Sequence, residues 1–141
     1  CLDFNSDLII GSGVGYCTYL LYQCIKFNKN IVLPENTFDY SGIFNNCFSF
    51  NKEVVIPSGA IYCKDMFRGC MMFNQDVIIP DTAVNCNDMF EGCINLDRKI
   101  NLPKSIAMCL RMFGACGEEF KEKQDYFIDI DGTHVIHYVD L

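Results

Sequence analysis

Six cysteines, Cys1, Cys24, Cys47, Cys70, Cys93 and Cys116, follow one another at intervals of 23 residues without drift. A fixed period in the range of about 20–50 residues decides architecture before local propensity does, because each unit is one supersecondary element that buries its apolar face only against its neighbours. Registered on this cysteine, the chain divides into five units at 8–30, 31–53, 54–76, 77–99 and 100–122. Residues 1–7, "CLDFNSD", match the end of a preceding unit, so the natural protein is expected to extend upstream. The register accounts for Cys1 better than a lipidated N-terminal cysteine does.

The first half of each unit reads as a short strand. Leu8, Ile31, Val54, Val77 and Ile100 form one apolar column, and Ile10, Leu33, Ile56, Ile79 and Leu102 form another two residues on. β-branched residues at a spacing of two suit a pleated, half-buried strand. All four prolines, Pro34, Pro57, Pro80 and Pro103, follow directly, with Gly11 in their place in the first unit. Proline has no N–H for a ladder and ends the strand there.

The second half changes period. Cys63, Met66, Phe67 and Cys70 fall at i, i+3, i+4 and i+7, and Cys86, Met89, Phe90 and Cys93 repeat that spacing. This is one helical stripe, about two turns long, so a short α or 3-10 segment packed on the strands is expected in each unit. The register predicts that Phe44, Phe67, Phe90 and Phe113 stack in the core beside the cysteines. The pairs Phe4–Asn5, Phe27–Asn28, Phe50–Asn51, Phe73–Asn74 and Leu96–Asp97 then lead into the next strand. Asn and Asp suit such a turn because their short side chains bond nearby backbone.

The repeat C-x-x-F-N-x-x-V-x-I-P-x-x-A-x-x-C-x-x-M-F resembles the BspA-like class of leucine-rich repeats, most fully in "CMMFNQDVIIP" (70–80) followed by "CNDMFEGC" (86–93). The resemblance implies an α/β repeat solenoid whose parallel strands line a concave face. It also implies a setting on cell surfaces, virions or secreted assemblies, where such repeats bind proteins or adhere to hosts. The first unit departs from the pattern with Gly11 and Leu20–Leu21, and the fifth breaks into "GEEFKEKQD" after Cys116. Atypical end repeats act as caps in stacked-repeat proteins. In 123–141, Asp131-Gly132 lies between two β-rich runs, which signals a hairpin closing on that dipeptide. Such a hairpin would cover the open edge of the last coil. The alternative is the first element of a following domain.

Charge and composition remove several classes of function. Eleven Lys and Arg face 18 Asp and Glu, a net −7. Nucleic-acid affinity comes largely from cations neutralising phosphates, so nucleic acid is not an expected partner. No apolar run reaches the roughly 18 residues of a membrane helix, so no insertion by this stretch is expected. The sequence shows no Ser/His/Asp spacing and no glycine-rich phosphate loop before a helix; Gly11-Ser12-Gly13-Val14-Gly15 reads as repeat degeneracy. No enzymatic role, cofactor or metal is expected.

Ten cysteines pose a disulfide or metal question. A single thiol per coil gives a ladder, without the paired ligands that a metal site needs. Cys is also a common fully buried small residue, so buried free thiols are the expectation. His134 and His137, beside Asp129, Asp131 and Asp140, could suggest a metal or acid–base pair. Residues three apart on a strand point to opposite faces, and the two imidazoles are expected to diverge.

The informative surface is the outward side of the strands. If the two apolar columns point inward, the residue between them faces out: Ile9, Val32, Val55 and Ile78, with Asn101 in the fifth unit. Asp7, Asn30, Glu53, Asp76 and Lys99 stand beside them. An apolar stripe rimmed by charge is the anatomy of a protein-binding face. The reading for the chain is a non-enzymatic recognition or adhesion module, with Ile9, Val32, Val55, Ile78, Asn30, Glu53, Asp76 and Lys99 facing a host or surface protein. The alternative is a structural spacer whose binding part lies elsewhere.

Overall fold

The computed structural model describes residues 1–137. Two pairs of strands and one helix are regular: β1 (Leu8–Ile9), β2 (Ile31–Val32), α1 (Glu118–Lys123), β3 (Tyr126–Ile128) and β4 (Val135–His137). β1 and β2 pair in parallel with Leu8 opposite Ile31, a displacement of one 23-residue unit. The same displacement joins the later units through the parallel bridges Asp39–Tyr62, Tyr62–Asn85 and Asn85–Met108. Successive units therefore lie coil upon coil.

The core is built of columns. Phe44, Phe67 and Phe90 are fully buried. Their rings stack with centroids 5.3 Å and 5.4 Å apart, and Phe113 continues the stack at 5.6 Å from Phe90. A second stack runs Phe4, Phe27, Phe50 and Phe73, at 5.6, 5.5 and 6.0 Å. Beside them the thiols of Cys47, Cys70, Cys93 and Cys116 each donate to a carbonyl 26 residues earlier, those of Leu21, Phe44, Phe67 and Phe90, at 3.0–3.3 Å. Each of these carbonyls also accepts the backbone N–H three residues on, as Phe44 does from Cys47, so the buried thiol fills volume and finds its own acceptor at a carbonyl's second lone pair. The asparagine column works along the same axis: Asn5, Asn28, Asn51 and Asn74 each accept, through Oδ1, the backbone N–H of Asn28, Asn51, Asn74 and Asp97 at 2.9 Å.

The hydrogen bonding between coils differs from the expectation in two ways. The apolar columns at 54–56 and 77–79 keep their alternation of buried and exposed residues, yet no backbone bond joins them to the adjacent coils. The continuous ladder lies further along each unit. Tyr40, Gly42, Phe44 and Asn46 donate to the carbonyls of Tyr62, Lys64, Met66 and Arg68, and Cys63, Asp65, Phe67 and Gly69 donate in turn to Asn85, Asn87, Met89 and Glu91. The expected helix is accordingly absent from 41–46, 64–69 and 87–92, where the chain makes successive turns.

Two columns of left-handed residues explain this. Tyr19, Gly42, Asp65, Asp88 and Arg111 form one, and Gln23, Asn46, Gly69, Gly92 and Ala115 form the other, all at φ between 51° and 78°. Each such residue breaks the helical path, and from Tyr19 to Gly92 its N–H bonds to the next coil and not to a carbonyl four residues back. Between them i→i−3 bonds survive, as from Asn45 to Gly42 and from Cys47 to Phe44. The i, i+3, i+4, i+7 pattern still points inward: Cys63, Met66, Phe67 and Cys70 are all buried.

At the C-terminal end α1 spans the expected boundary at 122/123, and its Phe120 is buried against Phe113 with centroids 4.9 Å apart. Gln124 bonds back to the preceding coil, accepting from Ile100 N–H at 3.0 Å and donating to the Arg98 carbonyl, and it also donates to the Phe120 carbonyl. The hairpin pairs Ile128 with Val135, so its loop is 129–134 and not the tight two-residue turn expected at Asp131-Gly132. Asp129 closes that longer loop by accepting from the backbone N–H groups of Thr133 and His134. Gly132 sits at the tip at φ +67°, where a Cβ would lie 2.3 Å from the Leu110 backbone, and its carbonyl takes the Cys109 N–H at 2.7 Å. That bond occupies the place where a further coil would bond, as Met108 does for Cys86.

Candidate interaction surface

The residues between the two inward apolar columns all point to solvent. Ile9, Val32, Val55 and Ile78 are 79%, 56%, 82% and 85% exposed. Asn101 is exposed in the fifth coil, and so are Asp7, Asn30, Glu53, Asp76 and Lys99. Period-two alternation puts each rim residue on the face of the stripe residue two positions later. Some rim groups are engaged: Asp7 accepts the Asn30 N–H at 3.1 Å, Asp76 lies 3.6 Å from Arg98, and Lys99 pairs with Asp125 at 3.0 Å. Lys99 also holds the Asp125 carboxyl below the usual carboxylate range, chiefly by hydrogen bonding to it.

Three features of this surface lie outside the sequence expectation. Glu35 and Asp81 are exposed just past the proline column and extend the rim to its other side. Between the aliphatic stretches at 31–33 and 54–56, which share no backbone bond, a hollow of about 490 Å³ opens with Ile31, Glu53 and Val55 in its lining. A separate aromatic patch sits on the outside of the ladder, where Phe38 and Tyr62 meet edge to face at 6.2 Å and Tyr16 is exposed. The location of the ladder is what separates the aromatic patch from the stripe.

A polar strip runs across the left-handed columns. Tyr19 reaches over Gly42 to donate to Asp65, two coils away, at 2.8 Å. Burial and that hydrogen bond push the Tyr19 phenol up to about 12. Arg68 lies 3.6 Å from Asp65 and 3.0 Å from Glu91, and Arg111 binds Asp88 at 2.8 Å. Asp65 and Asp88 are buried, so these pairs compensate charges that would otherwise be costly to enclose.

The cysteines are free thiols, nine buried and only Cys1 exposed. Burial pushes Cys47 and Cys116 up to about 12 and Cys17 and Cys109 to about 11. Cys86 is raised by a hydrogen bond with Cys63 and by burial. Protonated thiols of this kind are poor nucleophiles and poor metal ligands. Among the described residues no group of three His, Cys, Asp or Glu side chains could hold a metal ion. The two histidines go to different carboxylates: His134 Nδ1 lies 2.9 Å from Asp129, and His137 is 3.9 Å from Asp125 and edge-on to Tyr126. The hydrogen bond with the His134 ring, aided by the backbone N–H groups of His134 and Thr133, lowers Asp129 to about 2. Asp140 lies outside the described residues.

Among the described residues, no helix is long and apolar enough to cross a membrane. Comparison with protein-family models, with curated proteins and with solved structures found no match. Nothing positive in the sites described or in these comparisons points to an enzymatic activity.

Proposed function

We propose that the chain is a solenoid of the leucine-rich-repeat type, resembling the BspA-like class, and a non-enzymatic protein-recognition or adhesion module. Its setting in this reading is a larger cell-surface, secreted or virion protein, and its partner a host or surface protein. The observation that carries the reading is the alignment of four large aliphatic side chains on one outward face, each more than half exposed, in successive coils. Such a row loses water favourably only against a partner. The acidic rim adds specificity and faster encounter to that burial.

The test replaces Val55 and Ile78 together with Lys and measures capture of proteins from candidate host-cell surface fractions. A control replaces Ile94 and Ile130, exposed off the stripe, with the same two charges. Capture is expected to fall at least tenfold for the stripe variant and to stay unchanged for the control. Thermal melting is expected to move little for either, because outward substitutions usually fall within about ±0.5 kcal/mol. Equal capture by wild type and stripe variant would contradict recognition through this face and favour the spacer reading.

A further inference from the structure

The stripe carries information about what it would bind. Across the first four coils the column two residues before it reads Asp7, Asn30, Glu53, Asp76, and the column three residues after it reads Ser12, Glu35, Ser58, Asp81. No Lys or Arg enters either column until Lys99 and Lys104, in the coil where the stripe itself gives way to Asn101. Apolar and acidic character therefore begin and end together along the axis. Glu35, Glu53 and Asp81 form no ion pair or side-chain hydrogen bond among the described residues, so their charge is uncommitted. Glu53 and Val55 line the same hollow of about 490 Å³, together with Ile31 and a single cation, Lys52.

We infer that the occupant of this face is a basic, aliphatic protein segment that seats a Lys or Arg side chain in the hollow, its stem along Val55 and its cation at Glu53. The inference rests on the recognition reading above and narrows it to one partner chemistry. Lys and Arg lay their methylene stems on apolar surface while the charged head reaches a polar group beyond, which is the arrangement of Val55 and Glu53. A hollow opens here because the coils at 31–33 and 54–56 make no backbone bonds with each other. A second copy of the chain fits poorly, since each carries a net −7 and the same acidic rim. Anionic lipid and nucleic acid are opposed by the same charges.

The test uses synthetic peptides as probes: a short alternating Leu-Lys peptide, its Leu-Glu counterpart and a Ser-Lys counterpart, each followed by fluorescence anisotropy against the whole chain. The Leu-Lys peptide is expected to bind, with affinity falling as salt rises, and the other two to bind at least tenfold more weakly. Glu53→Lys and Glu53→Gln are both expected to weaken Leu-Lys binding, the reversal about five- to tenfold. Glu119→Lys, the same charge change at an exposed site on α1, is expected to leave it unchanged. Equal weakening by Glu53→Lys and Glu119→Lys would reduce the effect to overall charge and overturn the inference, as would equal binding of the Leu-Glu peptide. If the peptides fail in this way while the Val55/Ile78 variant still loses capture of surface proteins, the basic partner is wrong and the recognition reading survives. Retained capture by that variant removes the reading on which both rest.

Discussion

Each 23-residue unit has two stretches that face its neighbours, and they behave differently. Residues 31–33, 54–56 and 77–79 are aliphatic and mostly β-branched, alternate inward and outward, and end at proline, yet only β1 and β2 pair there. Residues 40–46, 63–69 and 86–92 carry a helical pattern, with Tyr40, Ile43 and Phe44 on the inward side of the first and Cys, Met and Phe on that of the other two, and they make the unbroken ladder. Backbone conformation accounts for the difference. The second stretch contains two left-handed residues per coil, which turn alternate N–H groups along the stacking axis. β-propensity describes side chains that fit a half-buried surface and does not by itself bring a partner strand within bonding distance. The stretch freed from ladder duty leaves the hollow and keeps its aliphatic row open to solvent.

Truncating one side chain on each stretch gives the largest contrast. Phe67 is fully buried and stacked between Phe44 and Phe90, so Phe67→Ala is expected to cost roughly 3–5 kcal/mol in chemical denaturation. Val55→Ala, on an 82% exposed side chain, is expected to stay within about 0.5 kcal/mol. Similar costs at the two positions would break the division between the stretches.

The left-handed positions give a smaller and more specific effect. Gly42 has φ +64°, and a Cβ there would lie 2.2 Å from the Tyr19 ring that crosses it. Gly42→Ala is expected to lose about 1–2 kcal/mol from backbone conformation, with the ring overlap adding to it. Adding Tyr19→Ala removes the overlap and leaves the conformational cost, so the double variant is expected to lose less than the two single losses combined. Strict additivity in a double-mutant cycle would show that Tyr19 does not lie over Gly42.

The thiol columns set a pH dependence. Cys47 and Cys116 ionise at about 12 in the fold, against about 8.5 for an unfolded thiol. A folded value raised in this way contributes stability that is fully present below about pH 8.5 and is lost as pH rises toward 12. The melting temperature is therefore expected to fall from about pH 9 upward, and a thiol reagent at pH 8 to label Cys1 alone until the chain is unfolded. Rapid labelling of the buried cysteines in the folded chain would contradict their place in the core.

Much of this arrangement was legible in the sequence, because a column repeated five times reports burial directly. The cysteine, phenylalanine and asparagine columns, and the outward position of Ile9, Val32, Val55 and Ile78, follow from period and alternation alone. The site of the ladder did not follow, because the i, i+3, i+4, i+7 spacing reports which residues share a face and not the backbone path that brings them there. A signal was present. In the three interior coils both left-handed positions are Gly, Asn or Asp: Gly42 and Asn46, Asp65 and Gly69, Asp88 and Gly92. These residue types enter that region most readily. Tyr19, Gln23, Arg111 and Ala115 in the end coils hid the pattern. At the C-terminal end Asp131-Gly132 suggested a two-residue turn, but the side chain of Asp129 closes a longer loop and Gly132 is needed for close approach to Leu110.

Amide hydrogen exchange resolved by residue tests the division between the two stretches most directly. Strong protection is expected at Gly42, Phe44, Asn46, Asp65, Phe67 and Gly69, whose N–H groups bond to the next coil, and fast exchange at Val55 and Ile78, whose N–H groups have no such partner. Protection at Val55 and Ile78 equal to that at Phe44 and Phe67 would place a ladder in the aliphatic stretch and contradict the account.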